Sequence, residues 1–461
     1  MGYSLKELEY WNEKIEKKAD ELGLDYYKQE FDIVGFNEMI GYEAYVGMPS
    51  RYPHWSFGKS YEKNKTLYSY NLTGLPYEMV INSNPCLAYL MRENTLLLQI
   101  LTMAHVYGHN DFFKNNRLFK ERTRANNVLE MFKIDGEIIR GYINSPDIGY
   151  EKVERILDSA HAIRYNIGTG ARGKEKNQQE IRKELITDYE RAKDRRGPLD
   201  IDIPIVLPDL DKIPLEPYDD VVGFIIEYGN LKEWEKNIVK VVKRETEYFM
   251  PQIETKIMNE GWASYFHYTI LNNLELPQSL HFEFLKRHND VVAPVVGGLN
   301  PYYLGFKIFE DLEKKFGRKK IFEAREIERD SSFIRRYLTK DLCEELNLFQ
   351  YSKRNFDFEI EEVSDEQGWE IIRDSLSLSS GVGSIPYIRV IDLNKKDNTL
   401  VLEHVSDGRE LELLYAKETL KHLQSLWGGK VSIITRSKDE KIFTISCDNE
   451  KKVTVIDGNK I

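Results

Sequence analysis

Two imidazoles one helical turn apart are the first residues in this sequence whose types and spacing imply chemistry. In ENTLLLQILTMAHVYGHNDFFKNN, Glu93 to Asn116, helical spacing puts Leu98, Thr102, His105, His109 and Phe112 on one face. An imidazole withdrawn from water needs hydrogen-bond partners or a metal, and two at i, i+4 can converge on one ion. A pair of hydrogen-bonded core histidines fits the same spacing. Gly108, between them, costs a helix about 1 kcal/mol relative to alanine, so something is expected to approach the backbone there.

A second polar stripe lies far along the chain. In QIETKIMNEGWASYFHYTIL, residues 252–271, Ile253, Ile257, Glu260, Ser264, His267 and Leu271 share a face. A carboxylate buried on that face requires a metallic or cationic partner, an arginine being the plain one. Glu260 and His267 stand two turns apart, about 10 Å along the axis. One is therefore expected as a ligand, and the other acts on the substrate or behind the ligands.

Three further clusters carry weaker signals. PSRYPHWSFGKSYEKN, residues 49–64, holds Pro49, Pro53 and Gly58, which predict irregular structure, beside Arg51, His54, Trp55, Phe57 and Lys59. It reads either as a loop packed on the core through its aromatics or as a substrate loop in which Arg51, His54 and Lys59 hold an anionic group. A helix over about Tyr150–Tyr165 places Glu154, Asp158 and His161 on one face. His281 and His288 flank Phe284 and Leu285. Gly168, Gly170 and Gly173 have dinucleotide-fingerprint spacing, but a helix and not a strand precedes them, so that match is rejected.

These residues must be positioned by a mainly helical body. Helices are expected over about 4–23, Phe36–Met48, Arg117–Lys133, 278–288, 301–316, 319–327 and 330–346, with a long one at 231–258 that Pro251 kinks or divides. Tyr77–Ile81 reads as a short strand, and Arg196–Pro217 as an extended excursion. The Ser/Gly-rich SLSLSSGVGS, 375–384, reads as a linker closing a large N-terminal domain, 1–374. Beyond it, 385–461 changes period: IPYIRVIDL, TLVLEHV, ELELL, KVSIITR, KIFTISC and KKVTVID read as strands around one helix, Ala416–Leu426. The expected fold class is a large α-helical N-terminal domain with a small C-terminal α+β domain suited to docking a protein partner.

Composition bounds the function. Of 461 residues, 41% are hydrophobic, enough for a sizeable core, and the formal charge of −11 argues against general nucleic-acid or anionic-membrane binding. Cys86, Cys343 and Cys447 lack paired spacing, so neither a disulfide framework nor a cysteine zinc site is expected. No apolar run reaches membrane-spanning length and the N-terminus is a charged amphipathic helix, which together lead to a cytoplasmic expectation.

RYPHWSFGKSY at 51–61, HVYGHNDFFKNN at 105–116, PQIETKIMNEGWASYFH at 251–267, LNPYYLGFKIFEDLE at 299–313 and LEHVSDGRELEL at 402–413 resemble the stage V sporulation protein R (SpoVR) family over nearly the whole chain. The resemblance implies a cytosolic bacterial protein associated with formation of the spore cortex, a peptidoglycan layer. More loosely, His105-x-x-x-His109 followed by Glu260-Gly261-Trp262-Ala263 is similar to the gluzincin metallopeptidases, which implies His105, His109 and Glu260 as zinc ligands with one position open for water. The glutamate that serves as base in that motif is Val106 here. The proton acceptor is then expected to be His267, or else Glu154 or His161. Three functions follow: a zinc-dependent hydrolase of amide or peptide bonds, acting on a peptidoglycan-derived substrate; a non-catalytic assembly or regulatory protein with a structural metal or ion-pair site; and an iron site drawing on Glu154, His161 and Glu260.

Overall fold

A computed structural model describes residues 2–69, 78–168, 178–194, 207–295, 298–354, 357–363 and 365–458. Gly170 and Gly173 of the glycine-rich stretch, Tyr77, and residues 196–206 of the expected excursion lie outside the described residues. Contacts gather the chain into two compact units, Met1–Arg140 with Glu247–Ser384, and Gly141–Thr246 with Ile385–Ile461.

The first unit contains α1 (Leu5–Glu21), β1 (Gln29–Val34), α2 (Phe36–Ala44), α3 (Trp55–Ser69), β2 (Glu78–Ile81), β3 (Cys86–Met91), α4 (Leu96–Asn115) and α5 (Arg117–Arg122), with most of α6 (Val128–Asn144). After the end of α10 (Glu233–Glu254) it resumes with α11 (Lys256–Asn273), α12 (Gln278–Val291), α13 (Pro301–Phe316), α14 (Arg318–Ile327), α15 (Asp330–Tyr337), α16 (Lys340–Glu345), β4 (Phe349–Arg354), β5 (Asp357–Val363) and α17 (Gly368–Ser379). Helix α4 is its centre, buried from Leu97 to Phe113. A helix apolar or buried all round must be covered on every side, and α1, α11, α12 and the small sheet β1-β3-β2 supply that cover.

Glycine sets the spacing of the central layer. A Cβ at Gly108 of α4 would stand 2.7 Å from Ala263 Cα of α11, and one at Gly261 of α11 would stand 2.3 Å from the carbonyl carbon of Gly305 of α13. The three backbones therefore meet where no side chain intervenes, which is the close approach expected at Gly108. Two buried aspartates fix the helices lengthwise. Asp330 accepts from the N–H groups of Ile257 (2.8 Å) and Met258 (2.9 Å) at the start of α11. Asp111 of α4 accepts from Arg325 Nη1 (2.9 Å), Trp262 Nε1 (2.9 Å) and the Asp25 N–H (2.8 Å).

The second unit holds α7 (Tyr150–Ile163), α8 (Gln178–Asp194), α9 (Val221–Tyr228), most of α10, and a five-stranded sheet ordered β10-β9-β8-β7-β6, from β6 (Ile388–Asn394), β7 (Thr399–His404), β8 (Val431–Arg436), β9 (Ile442–Cys447) and β10 (Val453–Asp457). Strands β7 and β8 run parallel, joined by α18 (Leu413–Trp427), and the remaining pairs are antiparallel. The architecture is thus the expected helical body with a small C-terminal α+β part.

Local expectations fail where punctuation was overread. Pro49 and Pro53 precede α3 instead of breaking it, so 55–69 is helix and not loop. Residues 375–384, expected to be irregular, are the end of α17 and a 3₁₀ turn, because Ser379 and Ser380 hydroxyls return to the Ser375 and Leu376 carbonyls and Ser377 bonds the Ser331 carbonyl. ELELL is not a strand: Glu412 caps α18 by accepting from the Tyr415 N–H at 2.7 Å. Strands β1 and β3, and the β4–β5 pair, have no counterpart in the sequence reading.

Candidate metal centre

The site grows from the face of α4. The His105 and His109 rings lie 4.6 Å apart, 3% and 6% exposed. Because α11 crosses at Gly108, Glu260 comes opposite both: its Oε2 stands 3.5 Å from His109 Nε2 and 3.8 Å from His105 Nε2. A fourth group arrives from the sheet. Glu78, first residue of edge strand β2 and paired with Leu90 of β3, sets Oε1 3.8 Å from His105 Nε2. Ligand atoms of Glu78, His105 and His109 all lie within 4.8 Å of one another.

The surroundings fix which nitrogens face the centre. His109 Nδ1–H donates to Asn259 Oδ1 at 2.9 Å, which leaves the Nε2 lone pair toward Glu260. His105 Nδ1 lies 2.9 Å from His267 Nδ1, and His267 Nε2 lies 2.8 Å from His288 Nδ1. If Nε2 of His105 presents its lone pair, its proton sits on Nδ1, and the chain then runs one way: His105 donates to His267 and His267 to His288. Second partners of this kind orient metal-binding imidazoles.

Electrostatics agree with the geometry. Burial, reinforced by His105, lowers the His109 imidazole to about 4, and burial likewise lowers His288 to about 4 and His267 well below its usual range, so these rings are neutral. Burial pushes Glu260 up, but the facing imidazoles outweigh it and hold the carboxyl below the ordinary range. Glu78 goes the other way, raised by burial. Two carboxyl groups facing two imidazoles form a donor set that suits a divalent cation.

The fit to a metal rests on unsatisfied atoms. His105 Nε2 and Glu260 Oε2 are buried without a hydrogen-bond partner, and such atoms cost about 1–3 kcal/mol each. Donors about 2.1 Å from a tetrahedral ion stand about 3.4 Å apart, close to the 3.5 Å and 3.8 Å between Glu260 Oε2 and the two imidazole nitrogens and the 3.8 Å between Glu78 Oε1 and His105 Nε2. The carboxylate side is the open one, Glu78 and Glu260 side chains keeping 16% and 20% exposure against 4% and 7% for the imidazoles.

The other expected residues fall elsewhere. His267 is fully buried with both ring nitrogens given to other imidazoles, so it stands behind His105 and not against a substrate, a correction to its expected role as proton acceptor. Glu154 and His161 belong to α7 in the second unit, where Glu154 accepts from Tyr150 Oη at 2.7 Å. Arg51 is 6% exposed, its guanidinium 4.6 Å from the Phe57 ring and 5.5–5.8 Å from those of Tyr52, Phe132 and Phe249. Lys59 lies over Trp55 at 5.7 Å, and His54 Nδ1 lies 2.7 Å from Ser56 Oγ. Sequence reasoning missed Glu78 and Asn259. Asn259 adjoins Glu260 and was within reach of a search for partners, whereas a lone acid opening a four-residue strand gives no periodic signal.

Fold and site together define a helical protein with a buried two-histidine, two-carboxylate cluster and an α+β C-terminal part. The pattern described as "SpoVR like protein" matches residues 2–385 and that described as "SpoVR-like C-terminal domain" matches 386–438. The chain belongs to the SpoVR family. It is 33% identical over 480 residues to "Uncharacterized protein YcgB" of Escherichia coli (strain K12), covering 94% of this chain and 93% of that one. No solved structure matches it.

Proposed function

We propose that this protein is a cytoplasmic, zinc-dependent hydrolase of amide or peptide bonds that acts on a peptidoglycan-derived substrate in spore cortex formation. The convergence of two buried ligand atoms that lack a hydrogen-bond partner, His105 Nε2 and Glu260 Oε2, supports it. Bound zinc supplies a water that ionises near pH ~7 and a Lewis acid for the carbonyl. His105, His109 and Glu260 hold it, oriented by His267, His288 and Asn259. Val106 cannot accept a proton, and Glu78 takes that part: burial raises its carboxyl, it opens toward solvent, and it lies 3.8 Å from His105 Nε2.

A second reading is favoured by the same residue. Two imidazoles and two carboxylates are a full tetrahedral complement, and closed sites are structural. The protein would then be a non-catalytic assembly or regulatory factor, with Leu414 and Tyr415 at the start of α18, 72% and 78% exposed, as its surface for a protein partner. Two histidines and one carboxylate also suit iron, so the metal is identified by analysis of the purified protein.

Glu78→Gln separates the readings. As proton acceptor, its loss leaves metal content unchanged and lowers amide hydrolysis about 10²-fold or more. As fourth ligand, its loss strips the metal. His109→Ala removes the metal under both, and wild-type protein holding no more metal than His109→Ala would defeat both.

A further inference from the structure

We propose that the cleft between α2 and α3 is a binding site for a small organic cation, an ammonium or guanidinium group carried on an apolar body. The proposal stands apart from the metal centre and does not depend on it.

The cleft has a volume of about 700 Å³. Two helical stripes wall it: Glu38, Gly41 and Tyr42 from α2 with Tyr45 just past its end, and Phe57, Gly58, Tyr61 and Glu62 from α3. Each stripe thus carries a glycine inside a helix, where glycine is destabilising relative to alanine. At Gly108 and Gly261 a neighbouring backbone explains the choice. At Gly41 and Gly58 a Cβ would meet nothing within 4 Å, and neither has positive φ. The packing gives no reason for either glycine, yet both leave their missing side chains' space to the same cavity.

Its lining states what it would take. Four aromatic rings line it, Tyr42, Tyr45, Phe57 and Tyr61, and beside the imidazole of His54 stand two carboxylates, Glu62 and Glu38, the latter also accepting from the Gly35 N–H at 2.8 Å. Rings backed by carboxylates favour a cation over an anion of the same shape. The cationic residues of the motif are engaged beside the cleft: Arg51 packs on Phe57 and neighbouring rings, and Lys59 lies over Trp55. This reverses the charge expected from the sequence, where Arg51, His54 and Lys59 were to receive an anion.

The test is ligand-observed NMR on the full chain with benzylammonium, benzyl alcohol and benzoate as probes. Benzylammonium should bind about two- to fivefold more tightly than benzyl alcohol, with benzoate weakest. Glu62→Gln should reduce that preference for the cation. Gly58→Leu and, from the opposite wall, Gly41→Leu should abolish binding while melting no lower than wild type, because the added side chain enters open space. Absence of binding by all three probes, benzoate binding as tightly as benzylammonium, or full binding by folded Gly58→Leu and Gly41→Leu would each overturn the proposal.

Discussion

Gly108→Ala probes the dependence of the proposed metal centre on how closely α4 and α11 approach. The new Cβ would lie 2.7 Å from Ala263 Cα and 3.3 Å from its Cβ, whereas ordinary contact begins at 3.4 Å. The helices must part by the difference, 3.4 − 2.7 = 0.7 Å. Overpacking of this kind costs about 1–3 kcal/mol, and alanine returns about 1 kcal/mol of helix propensity, leaving a net loss of about 0–2 kcal/mol. At about 2–4 °C per kcal/mol for a unit of this size, Tm falls by no more than about 8 °C. The centre suffers more. His109 Nε2 and Glu260 Oε2, now 3.5 Å apart, move toward about 4.2 Å, beyond the ~3.4 Å between neighbouring donors of a tetrahedral ion. Zinc affinity, measured in chelator-buffered metal with calorimetric melting alongside, should fall at least about tenfold, as when a ligand shell is disturbed. Adding Ala263→Gly should not rescue it, because the obstructing atom is Ala263 Cα. Unchanged zinc affinity in folded Gly108→Ala, or full rescue by Ala263→Gly, would refute the reasoning.

Two other perturbations test the frame around the site. Asp111→Asn leaves the Arg325 guanidinium, 4% exposed, without its counter-charge; breaking a buried pair costs about 3–5 kcal/mol, and a denaturant melt showing a loss below about 1 kcal/mol would contradict the assignment. The pH response has opposed parts. In metal-free protein His109 and His288 ionise near 4, below the ordinary 6.5, so the unfolded chain takes their protons first and stability present above pH 6.5 is lost as pH falls toward 4. Burial raises Asp111 to about 6 and Asp330 to about 7, so for them the folded state takes the proton first and acidification through the same window stabilises. The wild-type Tm should therefore change little between pH 7 and 4, while His288→Asn, lacking one histidine contribution, gains on wild type as pH falls. A His288→Asn Tm that falls further below wild type on acidification would count against a neutral His288.

Much of the centre was legible because each half lies on one helix. His105 and His109 needed only the 3.6-residue period, Glu260 and His267 likewise, and Gly108 announced a close neighbour. What the period cannot encode is the register between helices. That register depends on Gly108 against Ala263, Gly261 against Gly305, and Asp330 at the start of α11, contacts between residues from about 40 to 155 positions apart. It decides that Glu260 faces the imidazoles while His267 falls behind His105. The small sheet was hidden for a related reason: β1 pairs with β3 across more than fifty residues, β1 is only six residues long, and β3 is buried at nearly every position and so lacks alternation. In α3 the local signals misled, since Pro53 stands just before the helix, where proline is tolerated, and Gly58 leaves space at a cleft instead of breaking the helix.

The missing base at Val106 can be argued from the same packing. The residue after His105 points about 100° around the helix from it, and Val106 is fully buried. A glutamate there would be a buried carboxylate turned away from the imidazole pair, costing several kcal/mol unless paired. The carboxylate at the centre comes instead from β2, an edge strand held by β3, on the side of the cluster that solvent reaches. On the hydrolase reading, chemistry that a single helix performs in the gluzincin pattern is divided here between a helix and a strand. Loss of the motif's glutamate then speaks to where the carboxylate is anchored, and Glu78 decides whether it handles a proton or closes the metal's coordination.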